Sequence, residues 1–440
     1  MKRFTIAAML MLSLSGCGIF GGREDKGSKT PLLGERVPIL TFENGAEVDP
    51  ALASVPVAVP PAEVNASWAQ PGGNASKSMG HLALGTSLGR AWSVNIAGGS
   101  KKTRLAAAPV VANETVYVID TDAVVHAFAT SNGSEKWRRS LSVKGDDSNS
   151  LFGGGVSFDN GRVYATTGVG DVAALDATTG SVLWKVRPAG PMRGAPTVAN
   201  GQVYAITQDN QIYALNADNG QTVWNEAGTL ENSGIFGVAA PSVAQGTVVA
   251  GYSSGELTAY RYENGRAVWQ DALSRTNMST AVASLSDIDA DPVIADGKVY
   301  AIGQGGRMVA LDIVTGQRLW ELNIGGISTP WVAGDWLFVV TDRAQLLSIA
   351  RASGKVRWIS QLPMWRKPKK KDKLISWTGP VLAGDRLLLA NTNGTLLNVA
   401  VEDGKIGSRT EAGDDVYLPP VVANNTLYIL DGDGRLSAWR

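Results

Sequence analysis

The sequence predicts an all-β fold, an eight-bladed β-propeller with four antiparallel strands per blade and a ring closed by an N-terminal strand. Three observations predict it. Short runs of β-branched and aromatic residues alternate with Asp-Gly, Gly-Gly and Thr-Gly pairs along most of the chain, and such pairs supply the positive φ that tight hairpin turns need. In five copies of the unit, residues 109–137, 196–224, 241–269, 292–320 and 330–358, a Trp closes the unit 28 positions after the Pro that opens it. The last copy begins at Pro420 and stops at Arg440 after three strands, while an orphan strand with a similar Gly-to-Trp ending, one residue shorter, lies at 88–94.

Two further copies complete the count. One runs over 155–184, a residue longer, and one starts at Pro380, keeps the Asp403-Gly404 turn and has no Trp after it. Pairing the strand at 88–94 with the unit that begins at Pro420 closes the ring and leaves no free sheet end. A single blade cannot bury both faces of its sheet, so the blades stack, and the repeated Trp is expected on the outermost strand, filling the gap between neighbours. No apolar 3.6-residue period is present to support a helical array.

Before the ring the chain changes character. Lys2 and Arg3 precede an apolar run over 5–12 and the quartet Leu14-Ser15-Gly16-Cys17, which together read as a signal peptide over 1–16. The quartet resembles the lipobox of bacterial lipoproteins, which implies cleavage before Cys17, lipidation of that Cys, and, with Gly18 after it, sorting to the outer membrane. Residues 17–85 are rich in Gly, Pro, Ala and Ser and read as a flexible tether, with Trp68-Ala69-Gln70-Pro71-Gly72-Gly73 as the part suited to docking on the ring. The propeller then occupies 86–440. His81 and His126 are the only histidines and Cys17 the only cysteine, so a His- or Cys-based metal site has little material and no metal is expected. Lys+Arg and Asp+Glu are both 40, which supplies no basic footprint for nucleic acid.

Connectors between blades differ in length while the turns within blades stay short. Because all blade-to-blade connectors leave a propeller on one face, that face is the candidate partner surface. Three connectors carry residues of interest. The first is 188–195, where Met192 stands beside Arg193, a pairing suited to a protein interface or to a structural bridge between blades. The second ends in Ser286-Asp287-Ile288-Asp289-Ala290-Asp291, whose alternating carboxylates suit a basic partner, or a pairing with Arg193 across the same face, better than calcium. The third is the basic run 365–373, read as a solvated, mobile insertion with contact to anionic lipid headgroups or lipopolysaccharide as its sharper alternative. Asp431-Gly432-Asp433-Gly434 is read as a turn between the second and third strands of the last blade.

The phrases Val203-Tyr204-Ala205 and 174–180, with the recurring Trp, resemble the pyrroloquinoline-quinone-type propeller repeat over 88–440. Joined to the lipobox, to Met192-Arg193-Gly194 and to 285–289, the chain is similar to the propeller lipoproteins of the outer-membrane β-barrel assembly machinery. That resemblance implies a non-catalytic scaffold with no cofactor, lipid-anchored in the outer membrane and facing the periplasm. Its implied partners are the POTRA domains of the insertase BamA, other machinery components and unfolded outer-membrane protein clients. In the family a Leu-x-Leu-Arg-Gly segment and an Asp-x-Asp pair contact the insertase. Here Met192 takes the second Leu position, Arg193 the Arg, and Asp287 and Asp289 the acidic pair, while Gly190 stands where the first Leu would be. As connector residues, Arg193 and Asp287 are expected to be removable without unfolding the ring. Two rival readings remain open: a quinoprotein-type dehydrogenase, which in many members uses an adjacent Cys pair, a bound metal and an Asp base, and a cell-wall or polysaccharide-binding propeller.

Overall fold

The computed structural model describes residues 45–100, 102–146, 150–230, 239–273 and 286–440. Blade 1 consists of Val110–Ala112, Thr115–Ile119, Val124–Ala129 and Glu135–Ser140, paired antiparallel in that order. Blades 2 to 7 repeat the arrangement over 156–186, 197–227, 242–272, 293–322, 331–361 and 377–411. In blade 8 the strands Val421–Ala423, Thr426–Leu430 and Arg435–Trp439 are completed by Arg90–Asn95, which pairs antiparallel with Arg435–Trp439. The orphan strand thus closes the ring as expected. Short first strands of consecutive blades contact one another around the axis, and the fourth strands form the outer rim, that of blade 6 covered by the segment at 48–55.

The Trp on the fourth strand is the inter-blade element. Indole Nε1 of Trp92, Trp137, Trp184, Trp224, Trp269, Trp320 and Trp358 donates to a carbonyl in the turn after the third strand of the next blade, at 2.8–3.0 Å. The same turn supplies a glycine over which the indole lies. Gly316 is representative: its φ is +71°, and a Cβ there would stand 2.5 Å from Trp269. Backbone conformation and contact both demand glycine, which explains why Gly and Trp recur together in the sequence. Blade 7 has Ser408 at the equivalent position, so seven of the eight interfaces carry the contact.

From Gly45 the chain is built onto the ring, which corrects the expected flexible tether through residue 85. Trp68, Leu82 and Leu84 are buried. Residues 65–82 make one circuit inside the channel and meet the blades in order. Asn65 bonds Val422 and Asn424 of blade 8, Trp68 pairs with Val111 of blade 1, and the Ala69 carbonyl accepts from Phe158 of blade 2. The Gln70 side-chain amide donates to and accepts from Val198 of blade 3, at 2.8 and 2.9 Å, as a strand neighbour would. Ala75 then accepts from Val243 of blade 4 and Ser76 from Ile294 of blade 5. Gly80 accepts from the Trp331 indole of blade 6, and Leu82 bonds Leu382 and Gly384 of blade 7. Innermost strands of a propeller expose unpaired N–H and C=O groups to the channel, and this plug pairs with at least one backbone group in every blade but blade 6, which it meets through the Trp331 indole. The Trp68 ring crosses the axis from blade 1 to stack on Trp331 of blade 6, centroids 5.9 Å apart.

Replacing Trp269, buried between blades 4 and 5, by Ala is expected to cost ~3–5 kcal/mol in urea unfolding. Gly316→Ala, on the opposite side of the same contact, is expected to cost at least ~1 kcal/mol through its left-handed backbone alone. An unchanged unfolding midpoint for both would remove the indole-glycine contact from the account of ring stability.

Candidate partner-docking face

Antiparallel order within a blade places the connectors and the loops between second and third strands on one face, and the other turns on the opposite face. The plug lies toward the second face, where His81 accepts from the Asp385 amide in the first turn of blade 7. Above it the channel is a cavity of about 340 Å³ with Trp68, Pro71 and Lys77 as its floor and connector residues as its mouth. The ring is therefore a bowl, open on the connector face.

On that face the structure joins two of the sequence-selected connectors. Met192 and Arg193 follow Pro191 into blade 3; Met192 bridges Thr207, and the Arg193 amide donates to Ile206 at 2.8 Å. The guanidinium turns toward the connector that enters blade 5. There Nη2 donates to Asp287 Oδ1 at 2.7 Å, and to the Ile288 carbonyl and Asp289 Oδ1, each at 3.4 Å. Asp289 in turn accepts from Gln304 Nε2 at 2.8 Å. The pairing of Arg193 with the acidic residues across one face is thus present. Their expected exposure is not: Met192 is 0% and Arg193 1% accessible, Asp287 2%, and only Asp289 is partly open. Burial also weighs against the expectation that Arg193 and Asp287 are dispensable for folding, since a connector that crosses a neighbouring blade buries what it carries.

Arg193 Nε and Nη1 and Asp287 Oδ2 have no hydrogen-bond partner among the described residues, so the ion pair is desolvated without being fully satisfied. One cation faces two carboxylates here. Burial, and then the Asp287 charge, push the Asp289 carboxyl up to about 7 against the pull of Arg193. The third acid, Asp291, points elsewhere: it accepts from the Ala240 amide at 2.7 Å beside the cavity. Its carboxyl is raised by burial and held back by Lys77. Lys77 Nζ donates to Thr197 Oγ1 at 2.9 Å, and burial brings its ammonium down to about 8, with Asp291 opposing.

Docking of residues 68–73 on the ring was expected and is present, but the full circuit of the plug and Lys77 were not legible as site residues. The basic run is an ordered hairpin rather than a mobile insertion, with Trp365–Lys367 paired to Asp372–Leu374. Asp431 caps its own turn, accepting from the Arg435 amide at 2.8 Å, as the turn reading required. His126 lies between Asp120 Oδ2 and Glu135 Oε1, at 2.9 and 3.2 Å, and no group of three or more His, Cys, Asp or Glu among the described residues is arranged to hold a metal ion. Cys17, the signal segment 1–16, the tether to residue 44, and Leu285 lie outside the described residues.

The architecture and its repeat define a closed eight-bladed propeller whose open face is shaped by braced connectors. Residues 122–360 match the family profile described as outer membrane protein assembly factor BamB. The chain is 30% identical over 351 residues to the BamB of Salmonella typhimurium, a match covering 79% of this chain and 87% of that one. It belongs to the BamB family of outer membrane protein assembly factors. Among solved structures, BamB from Moraxella catarrhalis superposes with a TM-score of 0.68 at 22% identity, covering 80% of this chain and 100% of that one. A quinohemoprotein alcohol dehydrogenase from Comamonas testosteroni gives 0.66 at 15% identity, over 88% of this chain and 83% of that one, which is a likeness of fold.

Removing Arg193 leaves Asp287 charged and buried, so Arg193→Ala is expected to cost ~3–5 kcal/mol, and the Arg193→Ala, Asp287→Ala pair less than the sum of the single changes. The raised Asp289 pKa has a definite sign. Between about pH 4 and pH 7 the folded chain holds a proton that the unfolded chain, with an ordinary value of 3.8, has released, so stability falls as pH rises through that window. Asp289→Asn is expected to flatten the fall in thermal midpoint between about pH 5 and about pH 7. An identical slope in wild type and variant would contradict the assignment.

Proposed function

We propose that the chain is a non-catalytic scaffold lipoprotein of the outer-membrane β-barrel assembly machinery, anchored through Cys17 and facing the periplasm. In this reading it docks the POTRA domains of BamA on its connector face and assists insertion of outer-membrane proteins. The observation that carries the proposal, within the BamB family, is the brace that Arg193 forms with Asp287 and Asp289 between two connectors. A buried ion pair fixes the relative height of two loops without offering itself to a ligand, as a preformed docking surface needs. Met192, Arg193, Asp287 and Asp289 then act from beneath, and the exposed neighbours Arg187 and Pro191 make the contact.

A photoreactive residue at Pro191, in intact cells, tests this. Capture of the POTRA-bearing insertase there, with none from Arg261 on the opposite face, is the expected result. Absence of any assembly component, joined to stoichiometric quinone binding or glycan retention by the purified chain, would move the function to the dehydrogenase or polysaccharide readings.

A further inference from the structure

The connector from blade 6 to blade 7 carries the most uneven charge on the molecule. Between Trp365 and Leu374 stand six cations, Arg366, Lys367, Lys369, Lys370, Lys371 and Lys373, against one anion, Asp372, in a chain whose formal charge is zero. All six are exposed. One ion pair lies inside the hairpin, Lys367 to Asp372 at 3.8 Å, and no acidic side chain among the described residues pairs with Lys369, Lys370, Lys371 or Lys373. The charge is held on a built element. Its two strands pair Trp365 with Leu374, and Arg366 donates across to the Thr392 carbonyl of blade 7. At its base Trp365 is half-buried and Leu374 is 52% exposed. Lysines over an aromatic and aliphatic base match the chemistry of a bilayer interface, with ammonium groups at headgroup phosphates and apolar side chains below them.

A second observation comes from the other end of the chain. The described residues begin at blade 6: Gly45 lies against Arg343, Val48 bridges Val356, and Asp49 pairs with Lys355 at 2.8 Å. The described chain therefore begins at the blade whose connector carries the hairpin. Fully extended, the 27 steps from Cys17 to Asn44 span at most ~90 Å, ample for a membrane-held residue 17 to leave the hairpin at the same surface. Arg193 precedes blade 3 and the hairpin precedes blade 7, four blades on. Membrane contact and partner docking would occupy opposite sides of the connector face.

We propose that the hairpin of residues 364–374 binds the anionic headgroup surface of a phospholipid bilayer and sets the tilt of the ring on it. The inference extends the anchored-scaffold reading, and its test uses protein without lipid so that the two stand or fall separately. The chain from residue 17, with Cys17→Ser, is sedimented with vesicles of phosphatidylethanolamine and phosphatidylglycerol, and with vesicles of phosphatidylcholine alone. Binding to the first and not the second is expected, weakening steeply with salt. Lys369→Glu, Lys370→Glu and Lys371→Glu together should lower that binding at least ~tenfold, given the contribution of each Lys near a charged surface. The milder change of the same three to Gln should fall between. Arg261→Glu, Arg266→Glu and Lys405→Glu, an equal charge change away from the hairpin, should leave binding intact. Equal loss in both sets would reduce the effect to net charge and overturn the proposal. So would failure of the wild-type chain to bind phosphatidylglycerol vesicles, including the case where an acidic protein is bound instead.

Discussion

The ring depends on an indole from one blade lying over a left-handed glycine of the next. Each such contact joins three effects: burial of a large apolar surface, a hydrogen bond from Nε1 to a turn carbonyl, and the exclusion of any Cβ from the turn. Tyr117, Tyr164, Tyr204 and Tyr300 tilt against the indole of their own blade, so the contact also reaches back into the blade interior. The result is a rigid wheel whose loops can vary without cost to its closure. Only the interface between blades 7 and 8 does without it, next to the sheet in which the first strand of the ring pairs with the last.

Much of this architecture was legible because the contact is local in sequence and periodic. A Trp four residues after the turn glycine marks a fourth strand, and the number of such marks, with the truncated last copy, specified the ring and its closing strand. Beyond the docking of residues 68–73, the plug was not legible, for the opposite reason. Residues 65–82 pair with strands up to 357 positions away, adopt no repeating pattern, and contain the Pro and Gly that elsewhere signal an unstructured linker. Such residues suit a chain that must bend through a full circle while spending its hydrogen bonds on the wall.

The site was legible in part. Pairing of Arg193 with the acidic connector follows from charge and from the shared face, and the pair is there. Depth could not be read, because it depends on how the connector before Pro292 crosses blade 4, packing Ile288 against Gly251 and leaving Asp287 beneath. A residue on a loop is exposed only if the loop lies outermost. Here the loop covers its own charged residues, and the sequence-selected side chains shape the surface from below.

The plug also acts as a gauge. Indole-glycine interfaces know only their neighbours, and rings of seven or nine such units would satisfy them equally well. The internal circuit meets the innermost strands once each, from blade 8 through blades 1 to 7, and then leaves the wall at Gly384. A ring one blade short would strand a set of plug amides and carbonyls against nothing; one blade more would leave a strand unmet. The blade count is therefore recorded twice, once in the repeats and once in a stretch that has no repeat of its own.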